Sequence, residues 1–261
     1  MRQALYTTRL QAGLGMIEET NTLLELWEEG MSVSDLQKAA LQSGSFPNIA
    51  ARRLRNVVAE CFAPRFLSDN AAPARALKQL LPAMSAKEIQ QLLLIHACRA
   101  NLVLADFVRQ VYWQAYSSGR SFIANDLARS FVNDANDSGK TLKPWSPSTI
   151  RRVSSYLLGA CIDFGLLATG PKSTCRILPF RMESRVAGYL AYDLHFAGLS
   201  DNRVISAPEW GLFGMEPQDV TEELKRHSLR GWFIVQTAGN VSRISWSFKT
   251  MESFADELTK G

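Results

Sequence analysis

The sequence predicts a mainly α-helical protein with small β-hairpins, organised around a helical bundle core. Three observations carry that prediction. Apolar residues recur at helical spacing through most of the first 170 residues. Gly30 and Gly119 fall where periodic segments stop, and Pro147 and Pro217 fall where they start. Strict alternation is clearest near the C-terminus, where Ile244, Trp246 and Phe248 alternate with Arg243, Ser245 and Ser247.

In chain order, Met16 to Glu29 reads as a helix, with Ile17, Leu24 and Trp27 on one face and Gly30 just past its end. Ser32 opens a second helix, with Asp35 three residues on as an acidic capping partner. After the turn SGSFPN, a third helix is expected from about Asn48 to Cys61, its apolar stripe formed by Leu54, Val57, Val58 and Cys61. Pro64, Pro73 and Pro82 interrupt the next stretch. Ser85 to Ser117 then reads as a core helix or helix pair, capped by Ser85 and Glu88. Ser121 to Ala135 is expected as an amphipathic helix presenting Phe122, Leu127 and Phe131. Ser146 can cap the following helix, and Pro147 suits its first turn because the missing N–H would be unpaired there. Beyond Gly170, short strands are expected at Thr174 to Phe180 and Arg203 to Ser206, with helices at Arg185 to Phe196 and Pro217 to His227. A β-hairpin turning at Gly239-Asn240 and a helix from Thr250 to Leu258 complete the chain.

Charge divides the chain. Residues 1–170 hold 18 basic and 14 acidic residues, whereas residues 171–261 hold 11 of each. The turn signal Gly170-Pro171 marks the expected boundary. It separates a mainly helical domain, 1–170, from a mixed α/β domain, 171–261. Cys61, Cys98, Cys161 and Cys175 are too widely spaced for a zinc knuckle or a secreted disulfide scaffold. No secretory signal or continuous apolar stretch of membrane-spanning length is visible, so a cytoplasmic location without membrane contact is expected.

Two helices concentrate exposed cations. In the first, Arg52, Arg53 and Arg55 lie largely off the apolar stripe, with Asn48 and Asn56 beside them. Guanidinium forks match phosphate oxygens and the guanine edge, and side-chain amides match adenine. In the second, Ser148 and Thr149 flank a helix start where free N–H groups favour phosphate, and Arg151 and Arg152 follow. Lys140 and Lys143 precede it. Either helix alone is equally well read as a solvated face whose arginine stems cover apolar surface. The Arg-Arg echo could reflect duplication or coincidence. The C-terminal hairpin carries Arg243 on its exposed face; it reads as a wing or as a small sheet held by Trp232 and Trp246.

Catalysis finds no support. His96, His195 and His227 are isolated, and His96 sits in the apolar run LLLIHAC as a core histidine would. There is no HExxH, Cys-x-x-Cys, nucleophile elbow or phosphate-binding loop. No catalytic residue, metal site or cofactor is expected.

The chain resembles the BrxA family of bacterial BREX phage-defence systems. The resemblance rests on TTRLQAGLGMIEET, LLELWEEG, PNIAARRLRNVVAECF, WSPSTIRRVSSYLLGACIDFGLL, EWGLFGMEPQDV and GWFIVQTAGNVSRISWSF, in that order. It implies a mostly helical protein with winged-helix-like, helix-turn-helix subdomains that binds double-stranded DNA, with other BREX proteins as further partners. Arg52 and Arg53 match the basic pair of the family's first basic helix, and Arg151 and Arg152 the pair after its Trp-Ser opening. Nothing is carried over to the region around His195. A scaffold or adaptor role and RNA binding stand as alternatives.

Overall fold

A computed structural model describes residues 5–12, 15–239 and 241–260. The chain divides into two compact units, neither of them continuous in sequence. Unit 1 takes Met1–Lys78 and Leu93–Pro179; unit 2 takes Gln79–Leu92 and Phe180–Gly261. Gly170-Pro171, where the sequence suggested a boundary, is the turn of a hairpin inside unit 1. The Gly170 N–H donates to the Thr174 carbonyl at 3.0 Å.

Unit 1 opens with α1 (Ile17–Leu26) and α2 (Val33–Gln42). Ser32 caps α2 as its sequence position implied, its hydroxyl accepting from the Asp35 N–H at 3.1 Å. α3 (Ala51–Asn56) runs through a π-helical turn, Val57–Phe62, into α4 (Ala63–Phe66). α3 therefore starts later than expected: residues 47–49 form a turn, and Asn48 lies before the helix. α5 (Ala72–Leu80) and α6 (Ala86–Ala100) carry the chain into and out of unit 2. The expected helical stretch from 85 to 117 is a pair. At Asn101 the backbone leaves helical geometry (φ −136°, ψ 88°), and the chain turns by 116° into α7 (Leu102–Phe107). A π-helical turn, Val108–Tyr112, then leads to α8 (Trp113–Ser117).

The next expectation is corrected. Residues 122–124 are not helical: Phe122–Ala124 is a strand, β1, and α9 begins only at Asn125 and ends at Asp137. Gly119, at φ 72°, ends the preceding helix, and Ile123 then buries its side chain while Phe122 remains 42% exposed. That alternation suits a strand. α10 (Pro147–Asp163) follows, then β2 (Leu167–Thr169) and β3 (Thr174–Ile177). The three strands form an antiparallel sheet in the order β1-β3-β2.

Unit 2 contains α11 (Ser184–Phe196), α12 (Asp201–Ile205), a 3-10 segment at Pro208–Phe213, and α13 (Pro217–Ser228). The hairpin β4 (Phe233–Ala238) and β5 (Val241–Trp246) and the closing helix α14 (Met251–Thr259) complete it. The strand expected at 203–206 is instead part of α12. Asp201 stands in the first turn, which favours a helix, and Val204 and Ile205 are buried from it. Tyr192 holds this core together. Its ring stacks 4.0 Å from Phe254, and its hydroxyl donates to the Trp232 carbonyl while accepting from Ser247 and Phe248 N–H groups. Gly188 is required there, because a Cβ would lie 2.8 Å from the Trp232 ring. Glu88 caps residue 85, as expected, and also binds Arg185 through two hydrogen bonds of 2.6 and 2.7 Å.

All four cysteines are free and buried. His96 is 2% exposed, and burial, followed by the nearby Arg99 charge, pushes its pKa down to about 3. It is a neutral core histidine. Among the described residues no single helix is long and apolar enough to cross a membrane; α6 with residues 102–117 reaches the length and composition only as a bent pair.

Candidate nucleic-acid interface

α10 presents its cations on a well-braced helix. Ile150, Val153, Leu157, Leu158 and Cys161 bury one stripe against unit 1, and the Ser154 hydroxyl is satisfied by the Ile150 carbonyl at 2.8 Å. The Ser146 hydroxyl accepts from the Thr149 N–H at 3.3 Å, so the expected cap is formed. Asn136, on α9, fixes the entry: its side-chain oxygen accepts from the Trp145 N–H at 2.6 Å and the Thr141 hydroxyl at 3.3 Å. Lys143, Ser148, Arg151 and Arg152 are exposed around this start, with Thr149 half-buried. Neither arginine forms an ion pair with a described residue. Uncommitted guanidinium groups are available to an anion without first breaking a partner. Lys140 is committed elsewhere, its ammonium 5.9 Å from the Tyr6 ring.

The hairpin that follows α10 adds cations that sequence reasoning missed. Lys172 sits at the β2–β3 turn with φ 50°, exposed, beside Ser173 at φ 59°. Arg176 is exposed on β3, in register with Phe122 and Ala168. The signal is present in the sequence as Pro-Lys-Ser between two short β-prone stretches.

The first basic helix has a different setting. Arg52, Arg53, Arg55 and Asn56 are all exposed on α3, and the Arg55 carbonyl accepts from the Gln37 amide of α2 at 3.0 Å. Arg53, however, shares a surface cavity with Glu18, Glu19 and Asp163. Asn48 lines a neighbouring cavity that also holds Glu18 and Glu19. These carboxylates oppose phosphate approach on that side. Asp163 is the last residue of α10, so Arg53 lies near the opposite end of that helix from Arg151 and Arg152. At 1.5 Å per residue this is roughly 16–18 Å along the axis. The two arginine pairs therefore do not merge into one cluster. Arg243 belongs to unit 2, on the exposed face of β5 opposite Gln236.

The charge division is sharper by unit than by sequence half. Unit 1 carries 19 basic and 13 acidic residues, unit 2 carries 10 and 12. No group of His, Cys, Asp and Glu among the described residues has the arrangement of a metal site.

Residues 4–193 match the family model of BrxA. No curated protein matches the chain. A crystal structure of an uncharacterized protein from Magnetospirillum magneticum is similar in fold, with a TM-score of 0.58 at 16% identity, covering 73% of this chain and 94% of that one.

Proposed function

Because the chain belongs to the BrxA family, we propose that it is a non-enzymatic, double-stranded DNA-binding component of a BREX-type bacteriophage defence system. Family membership supports the defence association. The observation that supports DNA binding is the α10 surface: a capped helix whose exposed arginines have no ion-pair partner among the described residues, followed by a hairpin with Lys172 at its turn.

In this reading the order β1-α9-α10-β2-β3 is a winged helix, with α10 as the recognition helix and the β2–β3 turn as the wing. Arg151 and Arg152, with Lys143 and Ser148, contact phosphates and base edges near the helix start. Lys172 contacts the flanking backbone. α3, with Arg52, Arg53 and Arg55, is a secondary contact because carboxylates crowd one side of it. Neither basic helix sits in a compact helix-turn-helix: residues 43–50 separate α3 from α2 and residues 138–146 separate α10 from α9, against a turn of about 3–4 residues in that motif.

Titration of labelled duplex at two salt concentrations tests the reading, since binding through phosphates weakens as salt rises. Absent binding at low salt, or binding indifferent to salt, sinks it. Competition with structured RNA of matched charge distinguishes an RNA-binding protein. Plasmid cleavage with magnesium or manganese that follows the protein through purification would overturn the non-enzymatic assignment.

One observation favours an adaptor role for unit 2. A groove of about 720 Å³, lined by Asn202, Gln218, Thr221, Glu222, Lys225 and Thr237 among others, lies between α12, α13 and the hairpin, with no net positive charge. Charge reversal at Arg151 and Arg152 that leaves assembly with defence partners intact while abolishing duplex binding would assign the two roles to different units.

A further inference from the structure

The segment before α1 contacts α10's surroundings at both ends of that helix. The Tyr6 N–H donates to the Lys140 carbonyl at 2.7 Å, and Tyr6 pairs with Thr141 as an isolated parallel bridge. The Tyr6 side chain is 1% exposed, and its ring centroid lies 6.3 Å from that of Phe131 on α9. Its hydroxyl donates to an Asp106 carboxylate oxygen at 2.6 Å. Burial first, and then this carboxylate, push the phenol far above its ordinary pKa, so the donor keeps its proton. Leu10, in the 3-10 turn Arg9–Ala12, is also 1% exposed, and that turn lies against α10. Further on, the Gly15 N–H donates to an Asp163 carboxylate oxygen at 2.9 Å.

Lys140 and Thr141 belong to the loop that feeds α10, and Asp163 is its last residue. Tyr6 and Gly15 therefore engage the two ends of the helix, Tyr6 at its entry loop and Gly15 at its last residue. Gly15 is fitted to its place: a Cβ there would stand 2.3 Å from the Asp163 Cβ.

We propose that Tyr6 and Gly15 are the two pins of a strap that positions the basic helix, Tyr6 at the entry loop and Gly15 at the far end. Duplex affinity then depends on residues that never touch the duplex. The proposal rests on the DNA-binding reading above. Tyr6 and Asn136 act on the same loop, one through Lys140 and Thr141, the other through Thr141 and Trp145. Together they set where Lys143 and the first turn of α10 stand. The strap is a positioning element in the sense that supporting groups, rather than contact groups, hold a site to useful precision.

The test uses the full chain with Tyr6→Phe and Gly15→Ala. Duplex affinity is measured at two salt concentrations, and amide exchange is followed over residues 138–150. Gly15→Ala should weaken binding by about tenfold and Tyr6→Phe by about threefold, each with faster exchange in the entry loop. The dependence of affinity on salt should keep its slope, because no phosphate contact is removed. Faster loop exchange with unchanged affinity in both variants overturns the proposal. So does a flattened salt slope, which would make the strap a direct duplex contact. If the parent chain itself does not bind duplex, the underlying reading has failed, and the parent's silence distinguishes that from a failure of the strap. Should Gly15→Ala fail to fold, Tyr6→Phe, which keeps the ring and loses only the hydroxyl, still decides the matter.

Discussion

α10 and α13 occupy comparable points in two similar chain orders. Each follows a shorter helix and leads into a β-hairpin: α9 before and β2–β3 after in unit 1, α12 before and β4–β5 after in unit 2. Their exposed faces differ. α10 shows Ser148, Arg151 and Arg152, with neither arginine ion-paired to a described residue. α13 begins with a capping box in which the Glu216 N–H donates to Asp219 at 2.9 Å, so carboxylates already occupy the end where phosphate would be favoured. Its cations are committed: Lys225 donates to the Thr237 hydroxyl at 3.0 Å, and Arg226 pairs with Glu223 at 3.0 Å. The difference teaches that chain order supplies a shape, whereas the identity and prior commitments of side chains decide what the shape can hold.

The largest effect should come from breaking that contrast directly. Arg151→Ala/Arg152→Ala should weaken duplex binding by about 30-fold and flatten the salt slope by about two units, while Lys225→Ala/Arg226→Ala leaves both unchanged. Equal losses from the two helices would dissolve the distinction between the units. Next in size is a stability effect confined to unit 2. Glu88→Gln weakens charge-assisted hydrogen bonds from Arg185 and should cost about 2 kcal/mol in denaturant melts, with duplex affinity unaltered. The same pair predicts an acid limb. Burial raises the Glu88 carboxyl, but hydrogen bonds from Arg185 and Ser85 outweigh it and hold it below its usual range. Its contribution is therefore present above the unfolded carboxyl pKa and is lost as pH falls through the lower folded value. Melting of the parent should drop faster on acidification than melting of the Gln variant.

Smaller effects rank the contacts within unit 1. Arg52→Ala/Arg53→Ala should weaken duplex binding by about fivefold, less than the α10 pair, because Glu18, Glu19 and Asp163 crowd Arg53. A greater loss there would make α3 the principal contact. Lys172→Ala should cost about threefold and flatten the salt slope by about one unit, as expected for one wing contact. No change would detach the β2–β3 turn from the interface.

Legibility followed the range of the interactions involved. Helices with local signals were readable: Ser32 and Ser146 announce their caps, and Pro147 and Pro217 their first turns. The β4–β5 hairpin was readable from its alternation. β1 was not, because Phe122-Ile123-Ala124 is too short to show a period and acquires its partner, β3, only about 50 residues later. α12 was misread for a related reason: Val204 and Ile205 favour strands, and the Ser200-Asp201 start outweighs them only where those side chains find a buried face. For the site, residue type was legible and setting was not. Arg52-Arg53 and Arg151-Arg152 look alike in sequence; the carboxylates beside Arg53 come from residues 18, 19 and 163, which no local window contains.

The excursion of Gln79–Leu92 into unit 2 has a consequence for how the protein is made. This stretch leaves the ribosome long before the rest of its unit, which begins at Phe180. At about 5–20 residues per second, it waits roughly 10–30 s for the C-terminus to be synthesised. Leu80, Met84 and Leu92, all buried in the finished chain, spend that interval without their final surroundings. Unit 1 meanwhile has its last strand by Ile177 and can settle while this segment is unfinished. A nascent chain stalled near residue 180 should therefore present a chaperone-accessible apolar segment at residues 79–92 beside a protease-resistant unit 1, and release of the remaining chain should bury it in one step.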